Sequence, residues 1–299
     1  MNAVLGNPMV TTAALPLVLG IALGFVGRAS TLSAWPAAVL TWAAAAIFFY
    51  WDIMGAPVLW PTAASQKLIY LALLGAAFAL SAENNPNLRV QAGGAALLIV
   101  VALLWLSWRK LLSGVDLQLA TAAVVALLIA AGLVALLWIK GAAPSAQTEK
   151  PFLFPAAVLS VGFAGAITSV LAASIVVGQL LGSLAALTGG YCLFGFIEFL
   201  VARRSSFGWR TGTAILMLLC VAFPLIQTSL LAPKINHVAA LLATMPPLVA
   251  WLVSGRLQFL LPSARAPRPL AAGFLIAVPA ILAVLIALVW APQGAQLGF

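Results

Sequence analysis

Charge is what this chain has least of. Asp, Glu, Lys and Arg make up 6% of its 299 residues, while 65% are hydrophobic. A soluble domain carries roughly a quarter charged residues, so the scarcity excludes a water-facing globular fold and makes lipid the solvent. In lipid every backbone N–H and C=O must find its partner within the chain, which leaves helices or a closed barrel. Barrel strands alternate apolar and polar residues, and the stretches 95–106 and 119–139 do not. The expected fold class is all-α, a polytopic integral membrane helix bundle.

Acidic residues are the rarest of the charges, 5 in all. The two aspartates, Asp52 and Asp116, stand far apart, whereas magnesium-dependent prenyl or phosphotransfer chemistry needs clustered carboxylates. One histidine, His237, and two cysteines, Cys192 and Cys220, occur without any CxxC spacing. A zinc site, a haem attachment and a disulfide framework are therefore unsupported. Both cysteines lie in apolar runs and read as small packing residues. GxxxxGK[ST] and GxSxG are absent, as is an arginine ladder of the voltage-sensing kind. The expectation is no metal, no cofactor and no catalytic residue, with a lipid-acting enzyme the third choice of function. The formal charge is +9, but the basic residues are scattered between apolar runs. They read as membrane-flanking anchors rather than as a nucleic-acid face.

What is present is a series of long apolar runs. The first, residues 9–27, precedes the first basic residue, Arg28. A signal peptide would put its positive charge ahead of the apolar core, so this run reads as a retained helix. It contains Gly20-Ile-Ala-Leu-Gly24, a spacing that admits another helix closely. Further helices are expected at about 34–51, 67–82, 90–108 and 117–139. The link Met54–Gln66, with Pro57, Trp60 and Pro61, suits a segment lying at the interface.

The stretch Pro151–Val201 contains one charge, Glu198. As a single helix it would reach more than twice the ~30 Å thickness of a bilayer core, so it must turn back on itself. The sixth span is expected at 152–173, the turn within 174–182, and the seventh span up to about Ala202. Gly178-Gln-Leu-Leu-Gly182 suits either the turn or a close-packing face. Thr188-Gly189-Gly190 weakens the seventh helix and allows a break there. Spans at 211–231, 238–253 and 270–290 follow. Pro246-Pro247 removes two backbone donors from the ninth and should kink or break it.

Ten spans divide the chain into a first membrane half (1–140), a linker (141–150) and a second half (151–299). Five spans in each half would invert the second relative to the first, as in carriers built from inverted repeats, although no motif aligns the two. Ten of the 14 Lys and Arg residues then share one side: Arg28, Arg89, Lys140, Lys150, Arg203, Arg204, Arg210, Arg256, Arg265 and Arg268. The positive-inside rule places that side in the cytoplasm and both termini outside, in a bacterial-type cytoplasmic membrane.

Glu198 is the leading candidate for chemistry, because a carboxylate within a membrane helix is costly. Its competing role is an interfacial pair with Arg203 or Arg204. Gln179 suits a cavity or the freed backbone of the turn. Asp52 and most tryptophans read as interfacial residues, with Trp42 and Trp251 deeper. Gln227, Thr228 and Ser229 read as interhelical hydrogen-bonding groups. Lys234, Asn236 and His237 form a polar cluster, with the histidine expected to be solvated. The functional expectation is a small-solute secondary carrier or permease. Its solute site would involve Gln179, Gly189, Gly190, Glu198, Pro246 and Pro247, between the seventh and ninth spans. The alternative is a non-catalytic membrane scaffold. Expected partners are the lipid bilayer, a small solute, and a second copy or another membrane protein.

Overall fold

The computed structural model describes residues 9–28, 35–85, 87–141, 150–202 and 208–290. Arg203, Arg204, the linker residues 142–149 and both chain ends lie outside the described residues. After a π-helical turn at Val10–Ala14 come α1 (Leu15–Arg28), α2 (Trp35–Met54), α3 (Ala64–Asn84), α4 (Leu88–Ser113) and α5 (Leu117–Gly141). They are followed by α6 (Lys150–Leu171), α7 (Ile175–Ala202), α8 (Thr211–Leu231), α9 (His237–Ala243), α10 (Pro246–Ser254) and α11 (Pro267–Val289). The described residues contain no strand and make 10 segments long and apolar enough to cross a membrane, α9 and α10 together forming the ninth. The fold is an all-α polytopic bundle, as the composition requires.

α8 is the axis of the bundle. Its sequence is apolar all round, and such a helix must be buried on every side. Every residue from Gly212 to Leu230 is buried, and α2, α3, α4, α5, α6 and α7 pack around it. The two halves of the chain are thereby intermeshed, with α8 of the second half lying among helices of the first. α1 lies against α7. An inverted repeat would map the closely packed α6–α7 pair onto α1 and α2, and those two barely touch.

The stretch 151–201 does fold back, as the hairpin α6–α7. The reversal falls at 172–174 and meets the expected range of 174–182 only at Ser174. The Ser174 N–H donates to the Ser169 carbonyl at 2.8 Å, and the Ala173 N–H to the Val170 carbonyl at 3.0 Å. Ala173 takes φ +64°. This is a Schellman close with alanine at the left-handed position where glycine is usual. Gly178 is helical instead; a methyl there would stand 3.0 Å from the Ala166 carbonyl oxygen of α6.

α7 runs unbroken through Gly189-Gly190, so the break that these glycines allow does not occur. The reason is α1. A methyl at Gly190 would lie 2.0 Å from the Leu17 carbonyl oxygen, and one at Gly20 would lie 2.0 Å from that of Leu187. The two backbones touch, and that packing offsets the low helix propensity of glycine.

The ninth span does break. Thr244 and Met245 donate to the Leu241 and Leu242 carbonyls, each at 3.1 Å, in tight i→i−3 bonds that end α9. Pro246 and Pro247 then open α10 at its first positions, where a missing N–H costs no helical bond.

Candidate functional site

The residues proposed from the sequence do not meet at one place. Gln179 is half-buried on α7, and its carbonyl accepts the Ser183 hydroxyl at 3.0 Å. Gly189 is half-buried and Gly190 fully buried, the latter facing α1. Glu198 is half-buried in the last part of α7, and the arginines considered for it, Arg203 and Arg204, lie outside the described residues. Pro246 and Pro247 are buried at the start of α10. Pro247 seats against Gly132 of α5, where a methyl would stand 2.6 Å from the proline Cβ. α6 packs on α7 on one side and on α9 and α10 on the other, so it separates the two groups.

Two polar clusters occur instead, one at each end of the bundle. The first lies at the basic end, where α3 and α5 finish and α8 begins. The Glu83 side chain is 5% exposed and accepts the Arg210 Nε–H at 2.5 Å. Its second oxygen accepts the Gly212 N–H, which places a carboxylate at the electropositive start of α8. Lys140 donates to the Trp209 carbonyl. The Trp209 ring is held edge-on by Trp42 at 5.1 Å and stacked on Tyr191 at 5.7 Å. Trp209, read from the sequence as interfacial, is buried, and Trp42 packs between helices. This cluster anchors the chain as it enters the central helix.

The second cluster lies at the opposite end. Asp116 caps α5, accepting the Leu119 N–H at 2.7 Å and pairing with Lys110 at 2.9 Å. The Lys110 hydrogen bond, helped by that N–H, holds the Asp116 carboxyl below its usual range. Lys110 also donates to the side-chain amide oxygen, Oε1, of Gln118. Gln118 in turn donates to the Ala232 carbonyl at 3.1 Å, just before the turn that carries Lys234. Three residues on, His237 opens α9 with Nδ1 2.8 Å from the Thr121 hydroxyl of α5. His237 is half-buried and bonded across helices, a correction to the solvated turn residue expected from the sequence. The polar neighbours Lys234 and Asn236 suggested water, but the α5 contact that draws the ring inward is 116 residues distant.

Lys234, Asn236 and His237 form the polar lip of a cleft of about 430 Å³, and Val238, Ile286 and Trp290 its apolar wall. A void of about 20 Å³ shares Lys234, Asn236 and Trp290 and reaches inward to Thr168 of α6. That is room for about one water molecule. Deeper still, the Ser169 and Thr228 hydroxyls bond to each other at 2.9 Å between α6 and α8, the interhelical use expected of Thr228.

Sequence reasoning did not single out Thr121, Gln118 or Glu83, and counted Lys140 only as a membrane-flanking charge. Among these, Glu83 and Lys140 carried a usable signal, being charges at the last turns of apolar spans. No family model, no curated protein and no solved structure matches the chain.

Proposed function

We propose that the chain is a secondary carrier for a small solute, with the interrupted ninth span as its moving element. One observation carries the reading. The span is split at Thr244–Met245 inside the bundle: Pro246 and Pro247 cannot donate to the carbonyls of Leu242 and Ala243, and of these the Leu242 carbonyl is taken instead by the Met245 N–H. Interrupted membrane helices offer backbone carbonyls and helix ends to solutes and coupling ions. Of the residues put forward from the sequence, Pro246 and Pro247 support the reading most directly. The distribution of basic residues further favours a bacterial-type cytoplasmic membrane, with the basic end inside and both termini outside.

A second reading, a non-catalytic scaffold, is favoured by the packing of α8 on every side and by the backbone contact of α1 with α7. Flux separates the two. Purified protein in liposomes loaded with a pH-sensitive dye is challenged with small carboxylic acids, amino acids and sugars, each also supplied in labelled form for counterflow. A carrier gives saturable counterflow of at least one compound. The double variant Pro246→Ala/Pro247→Ala, which allows α9 and α10 to join, slows it while the protein elutes unchanged. Absence of flux across the panel, with a stable homo-oligomer by light scattering, gives the scaffold reading.

A further inference from the structure

The Thr121 hydroxyl has one proton. It donates that proton to the Leu117 carbonyl at 2.8 Å, so toward His237 it acts as the acceptor. His237 Nδ1 therefore carries a hydrogen and donates it to Thr121 across 2.8 Å. In the neutral ring the other nitrogen, Nε2, is then a bare acceptor. An anion near Nε2 is repelled by that lone pair and is accepted once the ring takes up a second proton. Histidine is the side chain whose charge ordinarily changes near neutral pH.

The surroundings favour a negative guest. Lys234 lines the same cleft and has no carboxylate partner among the described residues. Among the described residues no carboxylate lines the cleft. At this end of α5 the charged groups are Asp116, which caps it, and Lys110 of α4, which pairs with Asp116. α6, α8 and α11, the other helices packed on α9, carry no Asp, Glu, Lys, Arg or His at this end. The wall of Val238, Ile286 and Trp290 adds an apolar surface beside Lys234 and His237.

We infer that this cleft binds an amphipathic anion, an acidic oxygen group on an apolar body, and that binding is coupled to protonation of His237. The acidic group sits between the Lys234 ammonium and the His237 imidazolium, and the body lies on Trp290. Such a ligand has two sources, a free acid or the headgroup of a membrane lipid. The inference deepens the carrier reading, and rests on it only in regarding the free acid as cargo. Binding at equilibrium is tested without transport, so a chain that binds but does not transport is distinguished from one that transports by another site.

The test uses full-length protein in nanodiscs of phosphatidylcholine and naphthalene-2-sulfonate as the probe. The charge of a sulfonate is fixed across the range used, so any pH dependence belongs to the protein. Calorimetry should give saturable binding at least about tenfold tighter at about pH 5.5 than at about pH 8, the linkage expected of one coupled histidine. Near neutral pH, buffers of different ionisation enthalpy should report net proton uptake. His237→Gln should abolish the pH dependence and the proton uptake, and Lys234→Gln should weaken binding at both pH values. Both variants should elute as the parent does. If either fails to fold, Trp290→Ala, at an exposed site, provides the second check by weakening the probe without altering proton uptake. Repeating the titration with phosphatidylglycerol in the disc assigns the source. Competition by the lipid makes a headgroup the native occupant, and undiminished binding makes it a free acid. Absence of saturable binding, binding equal at both pH values, or binding indifferent to Lys234→Gln overturns the inference.

Discussion

Ala173 makes the reversal on which the second half of the chain depends, and it does so in a conformation that suits glycine better. Its φ of +64° brings Cβ close to the following carbonyl, a strain of about 1–2 kcal/mol for a residue with a side chain. The Schellman bonds of Ala173 and Ser174 hold it there. Glycine would remove the strain but loses more backbone freedom on folding, by about 0.4–1 kcal/mol. Ala173→Gly should therefore stabilise the protein by roughly 0.5–1 kcal/mol, the difference of those terms. The midpoint of thermal unfolding in detergent should rise. A fall would mean that the hairpin needs the alanine methyl for packing. The residue also explains why the reversal sits at the edge of the range expected from the sequence: the glycines nearby were the visible signal, and the chain turns just before them, without one.

At the scale of elements, the same glycines do different work. Gly20 and Gly190 bring α1 and α7 into backbone contact, each where a methyl would strike a carbonyl oxygen at 2.0 Å. Gly20→Ala and Gly190→Ala should each destabilise the bundle by about 1–3 kcal/mol, the usual cost of overpacking. Because both act on one seam, the double variant should lose less than the sum. Thermal unfolding of the four proteins checks this, and strict additivity would mean that the helices yield at each site separately. The close-packing role of Gly20-Ile-Ala-Leu-Gly24 was legible, since small residues four apart have few other uses in lipid. For Gly189-Gly190 the sequence suggested a break, and the seam with α1 that forms instead was not legible. Propensity is a local term, and the opposing Leu17 carbonyl comes from a helix about 170 residues away in the chain. The interruption of the ninth span was legible because proline removes its donor whatever surrounds it.

Across the whole molecule, solvent, fold class and span number followed from hydropathy and length, which do not depend on which helices touch. The candidate cleft did not, because Thr121, Lys234 and Trp290 converge only when α5, the turn before α9, and the end of α11 pack together. Orientation links the cleft to function. Consecutive spans alternate in direction, so Lys234 and His237 lie at the end opposite the basic one, outside if the positive-inside rule governs. There an outward-facing histidine would load a proton together with an anion, and the membrane proton gradient would draw both inward. Two exposed positions test the orientation, Val115 beside α5 and Asn84 at the end of α3. With Cys192 and Cys220 replaced by alanine, Val115→Cys should react with an impermeant maleimide on intact cells. Asn84→Cys should react only after permeabilisation. The reverse pattern would put the cleft in the cytoplasm, where an anion taken up with a proton would be working against the gradient, and the direction of transport argued from His237 would have to be outward or uncoupled from protons.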